Sequence, residues 1–351
     1  MSSWSHRPPL PAAADSSCDF RKRSIALARY HWLAPGGTHA VAELATGIPW
    51  LRVSRRRGRV LAIPYVVRAS LAAPRRMQEF EITHLLDTDA VKVRNVRCRG
   101  SCRHRSAEEA TTETHLVFPY RGVYARHVGS EQSLADANHV LFFNSGEGYQ
   151  VSHPLAGGDA SLDLALSEPL ARELAPANLL NDRVPLGFRQ PSLRIDPRAQ
   201  ALVALLRHAL TNGSIEALEA ESLSLTLVCR SLGPRTSRKA GATQSRRRLV
   251  DRVKVLLASD LSRRWTLQQI ASEIGGSAVY LTQVFQQVEG LPLYRYHLRL
   301  RLARALDLLA EYDDLAALAE DLGFSSHSHF TSAFRQAYGR SPSAFQESTR
   351  P

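Results

Sequence analysis

The spacing of apolar residues divides the chain after residue 76 into a strand-rich part and a helical part. From residue 77 to about residue 167, short apolar runs alternate with turn residues, a spacing typical of a small β-barrel or sandwich. The predicted strands are residues 91–96, 116–118, 122–128, 140–143, 149–151 and 162–166. From residue 168 the period lengthens, and residues 199–209 and 214–232 are predicted to be amphipathic helices. These helices could pack on the barrel or against a second copy in a homodimer.

Residues 233–246 contain no large apolar residue and are predicted to be a linker. The helical period then becomes clear, with an inward face of Leu249, Val253, Leu256 and Leu257. The next helix opens with Thr266 and Gln269, which have the spacing of a capping box.

A tight glycine turn follows that second helix. Ala271 is small enough for two helices to cross closely, and Gly275 can take the positive φ that the turn requires. Ser277 is predicted to cap a further helix, which turns Leu281 and Phe285 inward. The arrangement predicts a helix-turn-helix.

The same unit occurs twice. Residues 318–323, LAEDLG, repeat residues 270–275, IASEIG, and Phe330 and Phe334 stand where Leu281 and Phe285 stood, with the second turn one residue longer. A connecting helix is predicted between the units, with an inward face of Leu298, Leu302, Ala305, Leu306 and Leu309. Two such units on one stiff spacer can enter successive major grooves, about 34 Å apart along B-DNA.

Residues 301–346, RLARALDLLAEYDDLAALAEDLGFSSHSHFTSAFRQAYGRSPSAFQ, resemble the signature of AraC/XylS-type transcriptional regulators. The resemblance extends over about 100 residues, 247–346, and includes both units, the connecting helix and the final turn in order. It implies a bipartite DNA-binding domain behind an N-terminal effector or dimerisation domain. Residues 98–106, 122–128, 142–154 and 164–167 are more loosely similar to the cupin-like sensor domains of such regulators.

The expected fold class is therefore α+β multidomain: an N-terminal cupin-like β-barrel with flanking helices, and a C-terminal all-α domain with two helix-turn-helix units. The expected division is a basic, poorly structured segment (1–76), a sensor barrel (77–167), a helical dimerisation or packing segment (168–232), a linker (233–246) and the DNA-binding domain (247–346).

The family pattern identifies the residues that would face the DNA groove. In the first recognition helix they are Val279, Thr282, Gln283 and Gln286, and in the second His327, Ser328, His329, Thr331 and Ser332. Glutamine can pair with adenine through two hydrogen bonds, and the methyl groups of Val and Thr can meet the thymine methyl. The alternative for each position is an ordinary solvated side chain or a contact to phosphate rather than to a base. The candidate phosphate binders are Arg299, Arg301, Arg304, Arg335 and Arg340, which could equally form a merely solvated face.

His327 and His329 form a His-x-His pair that invites a metal interpretation. Residues i and i+2 of an α-helix point about 200° apart, so the pair is poorly placed to chelate one ion. We expect both side chains to meet base edges, and protonation below neutral pH to add a cation to a reading helix that has few.

Cys98, Cys102 and His104 form a Cys-x3-Cys-x-His pattern in the strand region, with His115, His127 and His153 in neighbouring strands. The pattern could bind a soft metal ion or sense an oxidant. The alternative is that the thiols are ordinary small buried groups, because the spacing is wider than in most zinc knuckles. No resident cofactor is indicated.

Composition changes this picture in one respect. The formal net charge is +12, but residues 1–76 contain 13 Lys and Arg against 3 Asp and Glu, and the remaining residues are nearly neutral. The high isoelectric point therefore gives no support to DNA binding by the C-terminal part. Met77 lies where the regular pattern begins, and one hypothesis is that native translation starts there.

The sequence thus predicts a cytoplasmic regulator that binds double-stranded DNA, with no membrane span. A small-molecule effector would act through the barrel, and RNA polymerase would be a partner if the protein activates transcription. The alternative is a cupin-type metalloenzyme fused to a DNA-binding domain. Against it, the strand region has no His-x-His followed by a carboxylate.

Overall fold

The computed structural model describes residues 80–100, 103–181, 186–233 and 243–349. The predicted basic segment 1–76, the proposed start at Met77, Cys102 and residues 234–242 of the predicted linker lie outside the described residues.

Antiparallel strands form two sheets in the first half of the described chain. The six-stranded sheet has the spatial order β1 (Phe80–Asp87), β2 (Val91–Cys98), β9 (Asp159–Leu166), β4 (His115–Arg121), β7 (His139–Phe143) and β10 (Ser192–Arg194). The four-stranded sheet has the order β3 (Glu109–Ala110), β8 (Gly148–Ser152), β5 (Tyr124–Val128) and β6 (Glu131–Ala135). Each of the predicted strands is present. Four further strands were missed. Strand β1 is mostly exposed, β3 and β10 have two and three residues, and β6, EQSLA, has no run of large apolar residues.

The two sheets pack face to face through a small apolar core. Leu141 and Phe143 of β7 meet Tyr124 of β5 and Val151 of β8 in this layer. Among the described strands, the hydrogen bonding makes two sheets and no single closed barrel. The fold class is the predicted α+β arrangement with a cupin-like N-terminal domain, and its barrel is open.

Three helices cover the outer face of the six-stranded sheet. They are α1 (Glu168–Leu174), α2 (Pro197–Asn212) and α3 (Ala217–Leu232). Phe118, Leu162 and Leu164 of the sheet share one core with Leu206 and Leu227 of the helices. The predicted packing of these helices on the sheet is therefore found.

The second of these predicted helices starts later than expected. Gly213 ends α2 in the left-handed conformation, with φ 64°, and α3 begins only at Ala217 instead of residue 214. The turn between the two predicted helices therefore lies at residues 213–216, three residues further along the chain than the predicted break at 210–213.

The remaining helices form the C-terminal domain. They are α4 (Gln244–Ser259), α5 (Leu267–Ile274), α6 (Ala278–Glu289), α7 (Leu293–Leu308), α8 (Leu315–Asp321), α9 (His327–Tyr338) and α10 (Pro342–Glu347). Helix α4 starts inside the predicted linker, because Thr243 accepts a hydrogen bond from the amide of Arg246 and so caps the helix early. Its deepest residues are Val250, Val253 and Leu257, whereas Leu249 and Leu256 are only partly buried.

Each helix-turn-helix unit has its own core, and both cores include residues of the N-terminal half. Phe285 and Tyr296 share a cluster with Ala137, which precedes β7. Phe330 and Phe334 share a cluster with Ala204 of α2. The two halves of the described chain are therefore packed together. No helix in the described ranges is both long and apolar enough to cross a membrane.

Candidate DNA-binding surface

The first helix-turn-helix unit has the local geometry that its sequence predicts. Thr266 and Gln269 form a reciprocal capping box at the start of α5. Gly275 ends the helix with φ 77°, and the hydroxyl of Ser277 accepts a hydrogen bond from the amide of Tyr280 at the start of α6. The turn therefore fixes the direction in which α6, the first recognition helix, leaves α5.

Helix α6 is two-faced. Leu281 and Phe285 are buried against α5 and α7, while Val279 is 68% exposed and Gln283 and Gln286 are also exposed. Thr282 is half-buried, and its hydroxyl donates to the carbonyl of Ala278 at 2.8 Å, which leaves its methyl group as the free part of the side chain. Three of the predicted groove-facing side chains thus share one open surface.

The second unit presents a similar surface on α9. Ser326 caps this helix by accepting a hydrogen bond from the amide of His329 at 3.1 Å. The exposed residues of the helix include the predicted His327, Ser328, His329 and Ser332, and Thr331 is half-buried. Nδ1 of His329 lies 3.0 Å from Oγ of Ser325, so the ring is held at the helix start. The face is polar and carries few fixed charges.

The five predicted phosphate binders fall into different environments. Arg335 and Arg340 are exposed, and Arg299 is half-buried. Arg301 instead donates to the carbonyls of Leu261 at 2.6 Å and Arg263 at 2.8 Å. It therefore holds the loop before α5 against the connecting helix.

Arg304 also has a protein partner, since its guanidinium is paired with buried Asp307 one turn along α7. These contacts occupy Arg301 and Arg304 inside the protein, which argues against the prediction that they bind phosphate. Burial, followed by the neighbouring cation Arg264, lowers the pKa of Arg301 below its ordinary value.

Two aromatic residues beside the recognition helices were missed by the sequence analysis. Tyr280 on α6 is 47% exposed, and Tyr294 at the start of α7 is 65% exposed. A tyrosine hydroxyl can donate a hydrogen bond to a phosphate oxygen. The sequence does contain a signal for both residues, because each is an aromatic residue at a helix position that does not belong to the apolar face.

A buried carboxylate joins the connecting helix to the N-terminal half. Asp307 on α7 is 3% exposed. Its carboxylate accepts a hydrogen bond of 2.8 Å from Nε of Arg121, at the end of β4. Arg207 of α2 reaches the other carboxylate oxygen at 3.1 Å, and Arg304 adds a third guanidinium. Three elements therefore meet at one side chain.

A second buried network lies at the C-terminal end of the first recognition helix. Glu289, the last residue of α6, contacts Nζ of Lys254 on α4 at 2.5 Å and Nε2 of His139 on β7 at 3.3 Å. Nδ1 of His139 lies 2.9 Å from one carboxylate oxygen of Asp136, and the other oxygen accepts a hydrogen bond from the hydroxyl of Tyr296 on α7. The network thus links both α6 and α7 to the sheet domain.

The charges in this network support one another. Burial alone would raise the pKa of Glu289, but Lys254 and His139 hold it well below its usual range. Burial and Lys254 oppose protonation of His139, yet Asp136 and Glu289 keep its pKa above the ordinary value. The ionised carboxylates therefore favour a positively charged His139 in the folded protein.

A cavity of about 400 Å³ opens beside the turn between β1 and β2. Its lining includes Thr88, Lys92, Glu113, Ser145, Leu166 and Glu168. Lys92 and Glu113 form an ion pair at 3.3 Å across it. Small-molecule sites typically occupy about 300–1,000 Å³. This cavity has that size, but polar and charged residues outnumber apolar residues in its lining.

The predicted Cys98, Cys102 and His104 site is only partly described. Cys98 is buried at the end of β2, and His104 is exposed. Cys98 is instead grouped with His153 and Asp159. Proximity of β2 to the end of β8 could not be read from sequence spacing.

Comparisons with known proteins point to one class. A helix-turn-helix domain family matches residues 270–348. LumQ, a probable transcriptional regulator from Photobacterium leiognathi, is 29% identical over 261 residues, which are 70% of this chain and 96% of LumQ. The transcriptional activator RhaR from Klebsiella pneumoniae is 31% identical over 110 residues, which are 31% of this chain and 39% of RhaR. The chain thus spans nearly all of LumQ but about two fifths of RhaR.

The crystal structure of a single-residue variant of apo ToxT from Vibrio cholerae is 11% identical, with 76% of this chain and 99% of that chain covered and a TM-score of 0.32.

Proposed function

Since this chain is an AraC/XylS-family transcriptional regulator that binds DNA, we propose that α6 and α9 read two successive major grooves of its operator. The observation that carries the proposal is the matched exposure of the two helices, each of which buries its apolar face in its own core and leaves a polar face open. Helix α7, with 16 residues, is about 24 Å long at 1.5 Å per residue and connects the two units.

Base reading by α6 rests on its two exposed glutamines. The amide groups of Gln283 and Gln286 can each donate to and accept from adenine, and Val279 offers methyl groups to thymine. On α9, His327, His329 and Ser332 supply hydrogen-bonding groups that suit either a base edge or a phosphate. The first unit is therefore expected to contribute more of the sequence preference.

Phosphate binding is assigned to exposed cations outside the internal networks. Arg335 and Arg340, both exposed, are the preferred candidates, with Tyr280 and Tyr294 as neutral donors. Arg301 and Arg304 are not preferred because their guanidinium groups already bind protein carbonyls and Asp307. Arg299 is half-buried, so it ranks between the exposed arginines and the internally paired arginines as a phosphate binder.

An effector would act through the N-terminal domain. The buried networks at Asp307 and Glu289 support this part of the proposal, because they join the sheet domain to α7 and to the end of α6. The cavity beside the β1–β2 turn has the size of a small-molecule site. A ligand that binds more tightly to one arrangement of the two halves would favour that arrangement, and would thereby change the positions of α6 and α9 on DNA. RNA polymerase is a partner if the protein activates, and helices α2 and α3 could contribute to a homodimer.

Footprinting of the full chain on the DNA upstream of its own gene tests the proposal. Protection should cover two major grooves on one face of the helix, about 34 Å apart, and change when an effector is added. Gln283→Ala should reduce discrimination against a wrong base pair by about 1–3 kcal/mol. Gln268→Ala, at an exposed glutamine on α5, provides the matched control and should retain it. Equal binding of the parent protein to all sequences would contradict specific reading.

A further inference from the structure

Three side chains that are distant in sequence meet at one end of the sheet domain. Cys98 is the last residue of β2 and pairs in register with Asp159, the first residue of β9. His153 follows directly after β8. One ligand atom from each residue, a sulfur, a nitrogen and a carboxylate oxygen, lies within 4.8 Å of the other two. Two of the residues belong to the six-stranded sheet and the third adjoins the four-stranded sheet.

Two of these residues are buried, Asp159 is partly buried, and the three side chains contact one another. Cys98 is 8% exposed and His153 is 5% exposed. Oδ2 of Asp159 lies only 2.8 Å from Nε2 of His153. This contact is an ion pair, yet neither this carboxylate oxygen nor Nδ1 of His153 makes a hydrogen bond of good geometry within the described part of the chain. Buried polar atoms without a hydrogen bond cost free energy unless something else satisfies them.

Two glycines allow the surrounding backbone to hold the donors close together. A Cβ atom on Gly158 would lie 2.2 Å from the carbonyl oxygen of Cys98, and one on Gly100 would lie 2.7 Å from Cα of Gly158. Both glycines have positive φ, 62° at Gly100 and 74° at Gly158. The amide of Gly100 also donates to Sγ of Cys98 at 3.4 Å, which holds the sulfur in place. The donor positions are therefore fixed by tight packing of glycine backbone.

We propose that Cys98, His153 and Asp159 bind a divalent transition-metal ion, with Zn²⁺ as the best match. Thiolate, imidazole and carboxylate are the three ligand types that Zn²⁺ takes in proteins, at about 2.0–2.3 Å. Two ligands at those distances from one ion can be at most about 4.6 Å apart, and the three ligand atoms here all lie within 4.8 Å of one another. Three protein ligands leave a fourth position for water or for a small anionic ligand.

The ion would tie the two sheets together. It would bridge the ends of β2 and β9 in one sheet to the residue after β8 in the other. Binding to the folded form alone stabilises that form by mass action, so Zn²⁺ should raise the melting temperature. This site is separate from the DNA-reading surface, and its failure would leave the proposed function untouched.

Cobalt substitution of the full chain tests the site. The protein, freed of metal with a chelator, is titrated with Co²⁺ and followed by its near-ultraviolet sulfur-to-metal absorption and its visible bands. We expect one ion per chain with a thiolate band, and displacement by Zn²⁺. Loss of a ligand should weaken Co²⁺ binding by at least about tenfold. Loss of a residue that only hydrogen-bonds to a metal ligand already weakens binding by about 10–100-fold. His153→Gln and Asp159→Asn should each show that loss.

Matched variants distinguish this ligand set from others in the chain. Cys229→Ser removes an exposed thiol on α3 and should leave the cobalt spectrum unchanged. Cys102→Ser and His104→Gln should also leave it unchanged. The proposal is overturned if no thiolate band forms, if His153→Gln and Asp159→Asn bind Co²⁺ like the parent, or if only the variants at 102 and 104 lose it. Far-ultraviolet circular dichroism of each variant verifies that it is folded, and either of the two ligand variants suffices for the test.

Discussion

Single residues of the same type have different tasks in this protein, and arginine shows this most clearly. Arg301 donates to backbone carbonyls on the loop before α5, Arg304 is paired with Asp307, and Arg335 is exposed on the second recognition helix. A guanidinium that already serves buried acceptors is costly to redirect to DNA, because the acceptors would lose their partners. Only an exposed arginine is free to bind phosphate.

Substitution of Arg335 by alanine should weaken binding to all DNA sequences by a similar factor. The loss of one phosphate contact should reduce the slope of log affinity against log salt by about 1. Gel shifts over a salt series, with operator and with unrelated DNA, measure both quantities. A selective loss on the operator alone would mean that Arg335 reads a base.

Arg301→Ala should behave in the opposite way. Its loss leaves the carbonyls of Leu261 and Arg263 without their donor, so we expect a drop of about 1–3 kcal/mol in the free energy of unfolding. Below the melting temperature, the salt slope should match that of the parent. Urea denaturation beside the same gel shifts tests this, and a reduced salt slope with unchanged stability would restore Arg301 as a phosphate binder.

At the scale of elements, the two helix-turn-helix units have equivalent sequences but different surroundings. Gly275 and Gly323 occupy matching turn positions, with φ of 77° and 73°. A Cβ atom on Gly275 would meet no atom within 4 Å, whereas one on Gly323 would lie 1.9 Å from the carbonyl oxygen of Ser262. The second turn is therefore wedged against the loop before α5, and the first is open.

Alanine at the two glycines should consequently have unequal effects. Gly275→Ala carries only the strain of a positive φ, about 1–2 kcal/mol. Gly323→Ala carries the same strain and must also displace the backbone of Ser262, so its loss of stability should be clearly larger. Thermal melts of both variants measure the difference. Equal losses would show that the contact at Gly323 relaxes without cost.

At the scale of the whole molecule, buried ionic networks join the N-terminal half to the DNA-binding half. One centres on Asp307 and the other on Glu289, and they involve the connecting helix and the end of the first recognition helix. Buried ion pairs contribute modest net stability, but removal of one partner leaves an uncompensated charge. The main effect of these networks is therefore on the relative position of the two halves, and their net contribution to the free energy of unfolding is small.

Asp307→Ala should destabilise the protein strongly. Arg207, 9% exposed at its side chain, would keep its charge without the carboxylate, and breaking such a buried pair costs about 3–5 kcal/mol. Glu311→Ala is the matched control, because Glu311 approaches Arg121 at 3.8 Å but is 60% exposed. We expect the control to cost less than about 1 kcal/mol in the same denaturation experiment. Similar losses for both variants would contradict the role of burial.

The pH dependence of stability should report on His139. Its pKa is raised in the folded protein, where it faces Asp136, Glu289, Lys254 and Tyr296. A raised pKa gives stability that is fully present below the unfolded value, about 6.5, and is lost as pH rises through the folded value. The free-energy difference between the parent and His139→Gln should therefore be largest near pH 6 and shrink toward pH 9. A difference that grows with pH would contradict the charged form of His139.

The local features of the DNA-binding half were determined by its sequence. The capping box at Thr266, the glycine turn at Gly275 and the buried faces of α6 and α9 follow from short-range periodicity and backbone preference. These depend on residues within a few positions of one another, so one sequence suffices to predict them. The repeat of the unit then predicted two reading helices on a spacer.

Tertiary structure alone decided which side chains meet across the chain. Asp307 joins arginines from β4 and α2, and Cys98 lies beside His153 and Asp159, although no sequence spacing links these residues. The division of the arginines into internal and exposed groups depends in the same way on how loops and helices pack. Local pattern specifies an element and its buried face, but long-range pairing is set by the joint packing of both halves, and that packing gives each charged residue its partner.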